Sequence, residues 1–187
     1  MNRVKLHDKY FAPYIGADKI YEAVDRVADA INADFLPIAN NENVPILLPV
    51  LNGSIIFCGH LLPKLKFPLE LCGIRVQSYS GTSSTGNIKE LLGLNIDVAG
   101  RDVIIVEDIV DTGNTIVKLC KNLEDRGAKS VKICTLATKP DVYDKDRNLD
   151  YVGLEIENKF IVGWGFDYDQ LGRNLDQIYI LDENQND

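Results

Sequence analysis

The chain has 187 residues, 45% of them hydrophobic and 26% charged, with 28 acidic against 20 basic side chains and a net charge of −8. That size and composition fit a single globular domain spanning residues 1–187, and the acidic balance argues against nucleic acid as the main partner, which needs a broad basic surface. No apolar run reaches the length of a membrane span or of a signal peptide, so the expected location is the cytoplasm.

In chain order, Ile20, Ala23, Val24, Val27, Ala28 and Ile31 form a helical stripe over residues 18–33. Residues 44–51 are mostly apolar and read as a strand. Asn52-Gly53-Ser54 then turns into a helix over 55–62 that Pro63 ends. Residues 69–78 alternate enough for a further strand. The stretch from Ser80 to Gly86 is Ser-Gly-Thr-Ser-Ser-Thr-Gly, the composition of a mobile loop. Val103 to Val106 have the β-branching of a buried strand, and a helix over 115–126 puts Ile116, Leu119, Cys120 and Leu123 on one face before stopping at Gly127. Residues 130–137 read as a strand, 151–156 and 160–166 as short strands or connectors, and 178–181 as the last ordered segment before a polar tail. Strands alternating with helices predict a doubly wound, mostly parallel sheet flanked by helices, with its ligand site at the carboxyl ends of the strands.

Cys58, Cys72, Cys120 and Cys134 lie among apolar neighbours with no CxxC spacing, and read as buried reduced thiols. His7 and His60 are far apart and lack ligand spacing.

The richest stretch is Val103-Ile-Ile-Val-Glu107-Asp108-Ile-Val-Asp111-Thr112-Gly113-Asn114-Thr115. A strand runs into two adjacent carboxylates, then a loop of small donors and acceptors, then a helix start. The helix N-terminus offers free N–H groups and a positive dipole end to an anion. Gly113 lets the backbone come close, and Thr112 and Thr115 add hydroxyls. Glu107 and Asp108 suit a pair of vicinal hydroxyls or a hard metal ion.

This stretch resembles the 5-phosphoribosyl-1-pyrophosphate (PRPP) signature of type I phosphoribosyltransferases: four apolar residues, two acids, two apolar residues, then Asp-Thr-Gly-x-Thr. Three further segments are similar to the hypoxanthine-guanine branch of that family. They are Leu51-Asn52-Gly53-Ser54; Ser78-Tyr79 through Ser84 to Lys89; and Lys139-Pro140 together with Lys159 to Tyr168 and Arg173. The resemblance implies the type I fold, with a hood formed by the N-terminal segment and about 157–180 and a mobile lid at about 79–89. It implies purine salvage: transfer of the phosphoribosyl group from PRPP to hypoxanthine or guanine, with Mg²⁺ as cofactor and assembly as a homodimer or homotetramer.

Carried over by position, Glu107 and Asp108 hold the ribose hydroxyls, directly or through metal. Asp111 is the general base, and Asp111, Thr112, Gly113, Asn114 and Thr115 clasp the 5′-phosphate. Asn52, Gly53, Ser78, Tyr79 and Arg173 meet pyrophosphate. Lys139 donates to the purine 6-oxo group, Phe160 stacks on the base, the Ile161 backbone pairs with its edge, and Asp167 reaches a second metal ion or the group at C2. An adenine amino group would meet Lys139 donor to donor.

One position departs from the pattern. Many members of the branch carry Lys or Arg where this chain has Asn52, which keeps the backbone contact and loses a charge; whether the Asn52–Gly53 peptide is cis stays open at this level. Xanthine or another base, or a PRPP-binding regulator, remain alternative readings.

Overall fold

The computed structural model describes residues 3–76, 91–92 and 94–183. The elements run β1 (Val4–Leu6), β2 (Lys9–Ile15), α1 (Ala17–Phe35), β3 (Ile46–Pro49), α2 (Ile55–Leu61), β4 (Glu70–Leu71), β5 (Arg75–Val76), β6 (Leu91–Leu92), β7 (Asp102–Val110), α3 (Asn114–Asp125), β8 (Ser130–Thr138), β9 (Tyr151–Glu155), β10 (Ile161–Val162) and β11 (Ile178–Leu181). A 3₁₀ turn, Leu62–Lys64, follows α2, with Pro63 in its first turn.

Among the described residues, the central sheet has the order β4-β3-β7-β8-β9, every neighbouring pair parallel. Its strands are apolar on both faces because both are covered. Leu47, Ile104, Val106, Cys134 and Leu136 share one cluster with the buried faces of α1 and α2. Ile46, Leu48, Val103, Ile105 and Ile133 alternate with them and share the opposite cluster with Ile116, Leu119, Cys120 and Leu123 of α3. The doubly wound arrangement expected from the sequence is therefore present. All four cysteines are buried.

The pairing of β7 with β8 sets the geometry of everything beyond it. At its start, Asp102 accepts from Ser130 Oγ at 2.6 Å and Lys129 Nζ at 2.9 Å. At its end, Val110 pairs with Thr138, whose Oγ1 donates to the Val110 carbonyl at 3.0 Å. The next residue on each strand, Asp111 and Lys139, therefore leaves the sheet beside the other. β7 is longer than its apolar core suggested. Because β8 runs on to Thr138, the backbone ladder continues past Val106, and Glu107 pairs with Thr135 inside the strand.

A second sheet, antiparallel in the order β1-β2-β11-β10, caps the carboxyl end and is the hood. Phe11, Val162 and Tyr179 make its small core. The sequence reading expected a hood from these regions without resolving β1 and β2, whose alternation is short and broken by the His7–Asp8 turn and Pro13. The strand expected over 69–78 is divided. β4 and Ile74 continue the ladder beside β3, with Cys72 N–H donating to Leu47 O and Ile74 N–H to Pro49 O at 3.0 Å each, while Arg75–Val76 turn away to pair antiparallel with β6. Ser78, Tyr79 and the expected lid at 79–89 lie outside the described residues.

Candidate active site

The loop after β3, the end of β7 and a loop of the hood meet at Asp108. The loop after β3 begins with a cis peptide between Leu51 and Asn52, one bond before the Asn52–Gly53 bond the sequence had left open. Gly53 is required by a close approach: a Cβ there would run into the Asp108 carboxylate. A Cβ at Gly165, at φ 107°, would likewise run into the Gly53 carbonyl. Arg173 fastens this hood segment. Its Nη1 donates to the Gly165 carbonyl at 2.7 Å, and its Nη2 pairs with Asp167 Oδ1 at 2.6 Å.

Among the described residues, the two adjacent acids sit in this seam without a cation paired to them. Glu107 is 8% exposed, and burial, then the Asp108 charge beside it, pushes its carboxyl well above the usual range. Burial likewise pushes Asp108 up to about 6, opposed by the Ile109 N–H and by Arg173, and reinforced by Asp167. Asp108 Oδ1 accepts from the Ile109 N–H at 2.9 Å. Among the described residues, no group of three His, Cys, Asp or Glu side chains is gathered to hold a metal ion. Two neighbouring carboxylates held toward the neutral form nonetheless fit a divalent cation that completes its shell with the oxygens of a bound anion, the usual habit of Mg²⁺.

Asp111 opens the loop into α3. Its Oδ2 lies 3.2 Å from Lys139 Nζ; the lysine is 10% exposed and the aspartate 48%. An open cleft lined by Glu107 to Ile116 lies over this loop. Gly113 caps α3 at φ 77°, a left-handed conformation that favours glycine, and any side chain there would strike Tyr143 and Lys145. Thr112, Asn114 and Thr115 are exposed, and the first N–H groups of α3 have no acceptor within the helix. The loop thus presents hydroxyls, backbone donors and a helix dipole to one cleft.

The structure gathers Asn52, Gly53, Glu107, Asp108, Asp111 to Thr115, Lys139, Asp167 and Arg173 around the ends of β3, β7 and β8. Phe160 and Ile161 belong to the hood. Phe160 is 42% exposed, and Ile161 is buried in the same apolar cluster as Ala137 of β8. One residue escaped the sequence reading. Arg75 Nη2 donates to Asn52 Oδ1 at 2.9 Å, and among the described residues no carboxylate pairs with it. A guanidinium therefore hangs from the side chain that lacks the charge. Its only sequence signal was the missing base at 52, since Arg75 itself lies outside every motif.

The phosphoribosyl transferase domain model matches residues 16–170. The chain is 38% identical over 168 residues to the hypoxanthine-guanine phosphoribosyltransferase of Mycobacterium tuberculosis, covering 89% of this chain and 83% of that protein. It is 45% identical over 141 residues to the hypoxanthine-guanine-xanthine phosphoribosyltransferase of Tritrichomonas foetus, covering 74% and 76%. A solved structure of a hypoxanthine-guanine phosphoribosyltransferase from Bacillus anthracis superposes with a TM-score of 0.78 at 31% identity, covering 90% of this chain and 97% of that one.

The acidic pair makes a prediction about stability. Folded Asp108 holds its proton more tightly than the unfolded chain does, so its charge weakens the fold as pH rises from about 4 through about 6, and the penalty is absent below that window. Asp108→Asn keeps the acceptor for the Ile109 N–H and removes the charge. Without ligands it should be more stable than the parent chain at pH 7.5, by ~1–2 kcal/mol after allowing for the water that reaches this half-buried group. The two chains should converge near pH 4 in urea titrations. A constant difference across that range would show that burial does not penalise this carboxylate.

Proposed function

This chain belongs to the phosphoribosyl transferase family, and on that premise we infer that it is a purine-salvage enzyme, transferring the 5-phosphoribosyl group of PRPP to hypoxanthine or guanine and releasing pyrophosphate. The observation that carries the assignment of the base site is the Asp111–Lys139 pair at the adjoining ends of β7 and β8. It sets a proton acceptor and a fixed donor about one hydrogen bond apart, where a 6-oxopurine needs both.

In the reaction, the bond between the ribose C1′ and the pyrophosphate oxygen breaks, and a bond from C1′ to a nitrogen of the purine five-membered ring forms. The proton on that ring passes to Asp111. Lys139 leaves the Asp111 carboxylate to donate to the 6-oxo group, so base binding itself frees the acceptor. Glu107 and Asp108 lie under the ribose, where negative charge favours the positive charge that develops on the ring as the leaving group departs. The loop from Asp111 to Thr115 holds the 5′-phosphate with N–H groups and hydroxyls.

Glu107 and Asp108 would hold Mg²⁺ together with the substrate's own oxygens, and bound there it would offset the charge of the departing pyrophosphate. Asp167 would join them only by loosening its pair with Arg173. Pyrophosphate meets the backbone of Asn52 and Gly53, with Arg173 on one side and Arg75 on the other. Arg75 brings the charge that position 52 lacks. Phe160 stacks on the base, the Ile161 backbone pairs with its edge, and Asp167 faces the group at C2. Ser78 and Tyr79 complete the pyrophosphate contacts in this scheme. We place the enzyme in the cytoplasm as a homodimer or homotetramer, an assembly that sedimentation at micromolar concentration reads directly; among the described residues no helix is long and apolar enough to cross a membrane.

The 45% identity to a relative named for xanthine as well makes xanthine the one further base to weigh. Assays of free bases with PRPP and Mg²⁺ should give turnover with hypoxanthine and guanine and none with adenine. Adenine turnover in place of hypoxanthine would sink the role given to Lys139. Asp111→Asn should lower kcat by roughly 10²–10⁴-fold while PRPP still binds, and a variant of full activity across pH would end that assignment. Arg75→Ala should raise the KM for PRPP by about threefold to tenfold, the worth of one charge-assisted contact, with the KM for the base unmoved. An unchanged PRPP KM would return the guanidinium to a surface role.

A further inference from the structure

The hood contains an aromatic cluster of which the transfer scheme uses Phe160 alone. Its centre is Tyr168, the residue after Asp167. The Tyr168 ring meets Phe160 edge-on, with centroids 5.6 Å apart and planes at 85°, and Phe11 at 6.1 Å. Phe11 also touches Phe160 at 6.0 Å. Phe160 is a large apolar ring left 42% exposed, and these two neighbours are its ring contacts among the described residues. An aromatic side chain so exposed lowers its free energy by turning to cover its open face; Tyr168 and Phe11 fill the space behind it.

Tyr168 is in turn fixed from the other end of the chain. Its hydroxyl donates to Asp8 Oδ1 at 2.6 Å, across a separation of 160 residues. The His7 ring packs on it edge-on at 5.3 Å and 85°, and Lys9 Nζ stands 5.5 Å from its centroid. His7 Nε2 also lies 3.3 Å from the Asp169 carbonyl. The turn carrying Tyr168 is tight. Tyr168 and Leu171 exchange N–H···O bonds of 2.9 and 3.0 Å, Asp169 and Gln170 have positive φ, and the Gln170 N–H donates to Asp167 Oδ2 at 2.8 Å. Whatever orients Tyr168 therefore orients the Asp167 carboxylate on one side and the Phe160 ring on the other.

We propose that the turn of the N-terminal hairpin, His7 to Lys9, positions the purine-binding face of the enzyme through the Asp8–Tyr168 hydrogen bond, making Asp8 and Tyr168 positioning residues for the base. The proposal rests on the reading of Phe160 as the ring that stacks on the purine. Four single variants of the full chain and one double test it by steady-state kinetics. Asp8→Ala and Tyr168→Phe each remove the same bond. Each should raise the KM for hypoxanthine by about threefold to tenfold, leaving kcat and the KM for PRPP within about twofold. The double variant should be no worse than either single one, because a shared interaction is lost only once. Asp8→Asn keeps an oxygen acceptor and should stay near the parent chain. Phe160→Ala reads the stack itself.

If Phe160→Ala raises the hypoxanthine KM and the Asp8 and Tyr168 variants do not, the positioning role is overturned and the stacking role stands. A Phe160→Ala variant with an unchanged hypoxanthine KM removes the stacking reading and the proposal with it. A fall in PRPP and base affinity together, with a lowered melting temperature, reduces the bond to a structural tie and overturns the proposal too.

Discussion

The parallel pairing of β7 with β8 is the constraint on which the site depends. Both strands are nine residues long and paired from Asp102–Ser130 to Val110–Thr138, clamped at one end by Asp102 and at the other by Thr138. A parallel ladder between two buried strands has no freedom to slip, since a one-residue shift would turn every core side chain to the opposite face. The register therefore fixes the separation of Asp111 and Lys139 as firmly as it fixes the core. Two chemically opposite groups, 28 positions apart in sequence, become neighbours because each is the first residue beyond the same rung.

Among the described residues, most charged side chains of the candidate site have a polar partner within it. Lys139 faces Asp111, Arg173 faces Asp167, and Arg75 rests on the Asn52 amide. Each pairing fixes a side chain at the strand ends without burying a bare charge. Glu107 and Asp108 are the exception. They face each other, and burial drives both toward the protonated form. Among the described residues, this acidic pair is thus left short of positive charge, at the place where the proposed scheme puts the ribose.

The sequence disclosed the parallel sheet, the three helices and the loop that opens α3 because each has a local signature: β-branched runs, a 3.6-residue apolar stripe, and a glycine at a helix start. Elements stabilised by distant partners were harder to read. The hood strands β1 and β2 are short, and β2 carries Pro13; they exist because β11, from the far end of the chain, pairs with β2. Glu107 looked like the residue after a strand, and only the length of β8 shows that it lies within one. Arg75 and Tyr168 are singled out by hydrogen bonds to Asn52 and Asp8, pairings that no pattern along the chain encodes. The motif residues needed no partner to be noticed; their supporting residues did.

The seam where Gly165 lies on the Gly53 carbonyl, and Gly53 on the Asp108 carboxylate, also bears on how such a protein can change over time. Its three members come from a sheet loop, a strand end and a hood loop, and neither glycine has room for one added methyl group. A substitution at either glycine displaces the other loop or the acid, so no single replacement is a neutral step. The rings around Phe160, by contrast, are side chains meeting side chains and can be exchanged one at a time. Descendants of this chain are therefore free to alter the surroundings of Phe160 by small steps, while the glycine–acid seam passes on whole or is lost.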